Sequence, residues 1–214
     1  YDIIDVTDFD VVSMIRRQLR TLLDEELAQA ALIGDGRELD DPYKIPEENI
    51  RPIWKDDALY TIKEQLTTVT DFKQMIKEIA FSGKNYKGSG SPTLYTTNAV
   101  HMGMLWAEDD MGRRLYDTDA TLCAALGVSK IVEIDRLAGL TRPGTTGKTL
   151  DLVAIKVNLN DYVFGADKGG QVASFDDFDI DFNQYKYLME TRCSGAMVKY
   201  HAAQVFEFEK SIAG

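Results

Sequence analysis

The residues best placed to do chemistry are tested first against what each reaction demands. The segment GTTGKT at 144–149 contains the second half of a phosphate loop. Such a loop needs a glycine five positions before Gly147, because backbone N–H groups must wrap the phosphate, and that position is Arg142. The residues that follow, LDLVAIKV, have strand periodicity, whereas the site also uses a helix N-terminus. A flexible loop is expected. The acidic run Asp176, Asp177, Asp179 and Asp181 raises the question of calcium. An EF-hand loop turns on a glycine at its sixth position, and counting from Asp177 that residue is Phe182. Phe178, Ile180 and Phe182 instead alternate with Asp177, Asp179 and Asp181, as in a strand with one buried and one wet face.

Nucleophilic catalysis would have to use His101 or His201, the two histidines. His101 falls in a predicted helix beside Met102 and Met104, and His201 in a β-like tail. Ser194 sits in RCSGAM, which lacks the glycine two residues earlier that a nucleophile elbow requires. Cys123 and Cys193 form no CxxC pair and have no histidine at metal-ligand spacing, so both read as reduced, buried or half-buried small residues, consistent with intracellular assembly. Glu108, Asp109 and Asp110, followed by Arg113 and Arg114, read as a charged helix end or turn. Acid–base work needs two carboxylates with split environments in a cleft, and nothing in the pattern indicates one. No catalytic residue, cofactor or metal is expected.

The whole chain sets the next limits. Its 214 residues suffice for one large domain or two small ones with a real core. The formal charge of −11 argues against gripping nucleic acid by its phosphates, which takes a basic surface. A negative wall would suit a container that does not hold packed nucleic acid tightly. No apolar run approaches the ~18 residues of a membrane span. The opening YDIIDV has neither the basic start nor the apolar block of a signal peptide, and the chain reads as part of a longer product.

The elements that would position these residues are mixed. Thr7 and Asp10 signal a helix start, and Val12, Ile15, Leu19, Leu22, Leu23, Leu27, Ala30 and Ile33 recur at helical spacing up to Gly34. One helix is predicted over 8–33, about 39 Å long at ~1.5 Å per residue. Leu19→Asp is expected to bury an unpaired charge there at a cost of ~3 kcal/mol. IRPIW reads as an edge or irregular strand, and the segment from about Ala58 toward Thr68 fits a strand, though its weak periodicity does not exclude a helix. Asp71 caps a helix to about Phe81, and GKNYKGSGSP is a loop. A strand at 93–96 precedes a helix opening near Asn98; Thr118 or Asp119 starts a short helix that Gly127 ends; 130–134 is a strand. RLAGLTRPGTTGKT is a loop. Leu150–Leu159 alternates, with Val153, Ile155, Val157 and Leu159 on one face and Ala154, Lys156 and Asn158 on the other. The tail from Gln171 to Phe208 is mostly β.

Five collinear phrases carry a family resemblance: DVTDFDVVSMIRRQLRTLLDEELAQAALIGDG, DDALYTIKEQLTT, SPTLYTTNAVHMGMLW, TLCAALGVSKIVEID and GADKGGQVASFDDFDIDFNQYKYLMETRCSGAMVKYHAAQVFEFE. Together they resemble the major capsid proteins of tailed bacteriophages with the Hong Kong 97-type fold, which encapsulins share. The resemblance implies an α+β fold with a long spine helix. It also implies a peripheral domain with a long β-sheet (1–60 and 171–198) and an axial domain (61–170 and 199–214). Family members have an N-terminal arm and an extended loop before the spine helix, and the chain starts about where that loop would return. No cross-linking lysine on that loop can therefore be carried over.

The implied function is structural. The chain would be a subunit of an icosahedral phage shell that self-assembles into pentamers and hexamers around the DNA genome. It would reside in the virion capsid and assemble in the host cytoplasm. Its partners would be copies of itself, with scaffold, portal and decoration proteins as further candidates, and no membrane. An encapsulin-like compartment shell is the alternative on the same fold. An enzyme with a loop-borne carboxylate site is the alternative of another class. Arg16, Arg20, Glu108, Asp109, Asp110, Arg113, Arg114, Asp177, Asp179 and Asp181 are the candidate inter-subunit contacts.

Overall fold

A computed structural model describes residues 11–38, 40–144, 148–167 and 172–211. Helix α1 is Val11–Leu32; β1 (Thr61–Leu66), α2 (Phe72–Ser82), β2 (Thr93–Thr96), α3 (Asn98–Leu105), α4 (Asp119–Leu126), β3 (Lys130–Glu133), β4 (Thr141–Pro143) and β5 (Lys148–Val157) follow. Then come β6 (Tyr162–Ala166), β7 (Ala173–Asp179), β8 (Gln184–Glu190), β9 (Cys193–Met197) and β10 (Ala203–Ser211). Two compact units result: Tyr1–Pro52 with Phe164–Ala196, and Ile53–Val163 with Met197–Gly214.

In the first unit α1 is one unbroken helix of 22 residues. The expected start at Asp8, with Thr7 as its cap, lies outside the described residues. The amides of Ile33 and Gly34 both donate to the Gln29 carbonyl, at 2.9 and 3.1 Å, and Gly34 takes φ 95. A side chain would be strained in that left-handed conformation, so the stop is a glycine. The apolar stripe is covered only at its C-terminal end: Ala30, Ala31 and Leu32 are buried, Leu19 is half-buried and Leu22 is exposed. The Leu19→Asp cost expected from the sequence therefore shrinks toward that of a surface change in the isolated chain.

The turn after α1 is a polar knot. Asp35 accepts from the Ile45 amide at 2.7 Å, the Arg37 amide at 3.2 Å and Lys44 Nζ at 3.2 Å. Arg37 reaches back to Glu26 on α1 at 2.5 Å. Burial pushes the Asp35 carboxyl up, but the Ile45 amide, Lys44 and the Arg37 amide outweigh it and hold it below the ordinary value of 3.8. With the folded value depressed, this stabilisation is full above the unfolded value and is lost as pH falls through the folded one. Acidification below about pH 4 is therefore expected to lower the protection of the Ile45 amide relative to its intrinsic exchange rate. Asp35→Asn should cost ~1–3 kcal/mol at neutral pH and abolish that acid dependence; an unchanged exchange profile in the variant would contradict the assignment.

The rest of the first unit is β. Strands β7 and β8 form an antiparallel hairpin with Phe175 opposite Leu188, Asp177 opposite Lys186 and Phe178 opposite Tyr185. The Phe178 and Tyr185 rings lie 5.0 Å apart. β8 packs on α1. The acidic alternation expected to run to Phe182 stops at Asp179. Residues 180–183 turn, Asn183 takes φ 49, and Ile180 and Phe182 stand exposed at the tip. β6 pairs with β9. IRPIW makes no strand; Ile50 alone bridges to Gly195, since Pro52 has no amide to continue a ladder.

The second unit is built on a sheet of order β1-β10-β5-β2-β3, with β4 added on β5. β4 is a strand the sequence did not show. It pairs with Thr149–Asp151, so the GTTGKT segment joins two antiparallel strands and leads into no helix; its residues 145–147 lie outside the described set. α2, α3 and α4 supply Met75, Ile76, Ile79, Met104, Leu122 and Leu126 to one core, which Leu94, Ala154 and Phe206 complete from the sheet. The register shifts between Phe206 and Glu207: Phe206 faces Ala154, and Glu207 faces Leu152. Val153 is the extra residue of this bulge. It joins Ala154 in the helix-side core, so the single face expected for Val153, Ile155 and Val157 is broken there. Leu159 lies past the strand and is exposed.

Central strands bury both faces, and two polar side chains are buried among the apolar ones to good effect. Lys156 and Gln204 are register partners. Lys156 Nζ donates to the Leu126 carbonyl at 2.9 Å, and Gln204 Nε2 to the Ser82 carbonyl at 2.8 Å. Each satisfies a last-turn carbonyl that the helix itself leaves without a donor. Burial pushes the Lys156 ammonium below its ordinary range. Residues 53–60, expected with the peripheral segments, belong to this second unit: Trp54 Nε1 donates to Glu207 at 3.0 Å.

Candidate assembly surfaces

The segment linking α3 to α4 carries half of the candidate contacts. Thr97 caps α3 and Thr118 caps α4 through a reciprocal box with Thr121; Gly127, at φ 65, ends α4. Between them the chain folds back, Glu108 bridging Arg114 and the Leu115 amide donating to the Ala107 carbonyl at 2.9 Å. Asp109 is the pin of this turn. Its carboxylate accepts from the Arg113 and Met111 amides at 2.9 and 2.8 Å and from Arg113 Nε at 3.0 Å. The two amides, then the guanidinium, hold it below the ordinary carboxylate range. Arg114 lays its guanidinium 3.0 Å over the Trp106 ring, a cation–π contact. Asp110, with a 96% exposed side chain, meets Lys73 Nζ at 3.0 Å. Trp106, Met111 and Leu115 are all exposed.

Of the ten candidates, then, Asp109 and Arg113 hold the loop's own fold, and Glu108, Asp110 and Arg114 face outward. Arg16 and Arg20 lie on the exposed side of α1; Arg16 is 3.7 Å from Asp176 and Arg20 3.1 Å from Asp24. Asp177 accepts from the Phe178 amide, Asp179 pairs with Lys186, and Asp181 sits in the hairpin turn with its amide donating to Asp179. The three aspartates do not converge, and among the described residues no group of three or more His, Cys, Asp and Glu side chains is arranged to hold a metal.

His101 is buried and braces α3 against β3 through Nδ1, 2.6 Å from Glu133, while Nε2 lies 3.4 Å from Asp119 without a hydrogen bond among the described residues. Asn98, then His101, hold Glu133 below the ordinary carboxylate range. His201 is not in a strand: it takes φ 50 in the turn before β10, its amide donating to the Leu59 carbonyl. Cys123 is buried and Cys193 half-buried, both as free thiols.

One polar cluster had no signal in the sequence. Asp161 accepts from the Ser89 amide and hydroxyl, both at 2.6 Å; Lys199 Nζ donates to Ser89 Oγ at 3.2 Å and Asn158 Nδ2 to the Ser89 carbonyl at 2.6 Å. Burial, then the Asp161 charge, pushes the neighbouring Tyr86 phenol up to about 12. The serine hydroxyl is already given to a carboxylate. The cluster is a clasp that fastens the GKNYKGSGSP loop.

No protein-family model matches the chain, and no curated protein matches it by sequence. Solved structures do. The capsid of an empty GTA particle superposes with a TM-score of 0.63 at 11% identity, covering 97% of this chain and 68% of that one. A structure from Mycobacterium phage Cain gives 0.58 at 11% identity, with 99% and 69% covered. One from Gordonia phage Cozz gives 0.53 at 16% identity, with 95% and 64% covered. The chain thus spans about two thirds of the length of these structures. It has the α+β, Hong Kong 97-type fold of phage major capsid proteins. No helix among the described residues is long and apolar enough to cross a membrane.

Proposed function

We propose that the chain is the structural subunit of an icosahedral phage capsid, assembling with copies of itself into pentamers and hexamers that enclose the genome. The observation that carries this reading is the fold match over 97% of the chain to a particle capsid. Physical features of the surface support it. An isolated globular chain seldom leaves apolar side chains in groups, yet Phe175, Ile180, Phe182 and Leu188 stand out on one hairpin and Trp106, Met111 and Leu115 on one loop. A shell subunit must stay soluble before assembly and then bind several neighbours at once, so each contact can be weak. The first unit corresponds to the peripheral domain and the second to the axial one. Shell proteins act by geometry, so no reacting group is assigned, and scaffold, portal and decoration proteins are candidate partners. Assembly would take place in the host cytoplasm, and the product would reside in the virion. The similar structures named above are from a particle capsid and from phages, which favours a phage shell over a cellular compartment.

Expression of the full gene product, alone and with a scaffold partner, followed by electron microscopy and analytical ultracentrifugation, tests the reading. Closed particles are expected. A product that stays monomeric at high concentration under both conditions removes it. Arg113→Glu with Arg114→Glu should slow assembly. The effect would come from losing the Arg113 fork onto Asp109 and the Arg114 stack on Trp106, which shape the loop.

A further inference from the structure

The C-termini of α2 and α4 meet at one point. Lys156 Nζ donates to the Leu126 carbonyl at the end of α4, and a Cβ on Gly83, which caps α2, would lie 3.7 Å from the same nitrogen. The two helices pack on each other and share this C-terminal end, and the N-terminus of α2 lies one helix length away. α2 has 11 residues, about 16 Å at ~1.5 Å per residue.

Opposite charges gather at those two ends. Near the N-termini is the segment 108–119, tied to the first turn of α2 by the Lys73–Asp110 contact and capping α4 at Thr118. It carries five carboxylates against two arginines. Arg113 is engaged with Asp109 and Arg114 with Trp106, so Glu108, Asp110 and Asp117 are left facing solvent. Near the C-termini, Lys63, Lys84 and Lys87 line one depression of roughly 620 Å³ with Ala58, Ile62, Asn85 and His201. Two acids lie near it, Glu64, which accepts from Asn85, and Asp57, which accepts from the Leu59 amide, and the three ammoniums outnumber them. The helix dipoles oppose this arrangement least, since carboxylates sit by the positive ends and ammoniums by the negative.

We infer that the 108–117 loop of one copy docks into the Lys63–Lys84–Lys87 depression of the next, making the head-to-tail contact of a ring. The inference rests on the shell reading and supplies its contact. Because the donor and acceptor are different surfaces, the contact is heterologous, and copies joined by it can repeat around an axis. The occupant is a second copy because the chain itself offers the matching surface: the acidic loop also presents Trp106, Met111 and Leu115, which would bury against Ala58 and Ile62, and aromatic anchors ringed by charges are what such contacts use. A chain of net charge −11 also needs a basic acceptor to let identical subunits approach.

Charge exchange in the full gene product tests it. One variant carries Lys63→Glu, Lys84→Glu and Lys87→Glu; a second carries Glu108→Lys, Asp110→Lys and Asp117→Lys; a third carries all six. The first and second should each assemble at least about tenfold less than the wild type, and the third should recover, because both surfaces are reversed together. Mixed in equal amounts, the first two should form alternating rings of even number only, since an odd ring must contain one repelling contact. Melting temperatures confirm folding, and Lys→Gln at the three lysines replaces the Glu variant if that one fails to fold. Normal assembly of the first variant overturns the inference; if that variant also loses retained DNA, the depression holds nucleic acid instead. Failure of the third variant to recover while folded overturns it as well. A wild-type product that makes no rings or shells removes the shell reading itself, a result distinct from either.

Discussion

Arg142→Ala should lower the unfolding free energy by about 3–5 kcal/mol, because it strands a carboxylate in the core. Glu207 has a side chain only 1% exposed, on the central strand β10. Arg142, reaching across from β4, forks onto it with Nε at 2.6 Å and Nη2 at 2.5 Å. The Glu207 hydrogen bond comes first among the causes that hold the Arg142 guanidinium above its ordinary value, against the opposing effect of burial. Without the arginine, the Trp54 indole is the one side-chain donor left to Glu207 among the described residues. Urea unfolding followed by circular dichroism measures the loss. Arg142→Lys should recover part of it, since a point charge neutralises but cannot fork. Arg142→Met with Glu207→Leu should recover more, less the ~1–3 kcal/mol of an unpaired indole N–H. A loss under about 1 kcal/mol in Arg142→Ala would mean that water reaches Glu207 and that the pair is not the core element described.

Phe206→Ala should cost about as much, 3–5 kcal/mol, for a different reason. The ring is fully buried beside Met75, Ile76, Ile79 and Leu94, beneath α2 and across two strands. These four residues belong to α2 and β2, which cannot both collapse into the space, so a cavity remains. Phe81 provides the control: it stands at the end of α2 with its ring mostly in water, and Phe81→Ala should change stability by no more than about 0.5 kcal/mol. Equal effects at the two positions would show that the helix layer does not pack on the sheet as described. If Phe81 faces a neighbour in a shell, its substitution would register in assembly and not in unfolding.

Local signals in the chain were enough to place most of the elements. Asp71, Thr97, Thr118, Gly34 and Gly127 each act on amides or carbonyls within four residues, so their chemistry can be read without knowing the fold. The same holds for the 93–96 strand and for the unbroken α1. The family-level architecture was also legible, through phrases in a fixed order along nearly the whole chain.

What only the tertiary structure decided depends on partners far away in sequence. The bulge at Val153 exists because β10 shifts register at Phe206, more than fifty positions along the chain. β4 is a strand only because β5 offers it an edge. The acidic alternation through Phe182 looked like a strand face, and the turn at 180–183 broke it because β8 had to fold back on β7. Lys156, Gln204 and Glu207 read as ordinary polar positions of alternating strands. They are buried because the donors and acceptors that meet them, Leu126, Ser82, Trp54 and Arg142, arrive from other elements. Likewise, acids at 108–117 and lysines at 63, 84 and 87 are scattered charges in the chain; α2, which meets Asp110 through Lys73 at its start and leads into Lys84 at its end, sets the two groups apart.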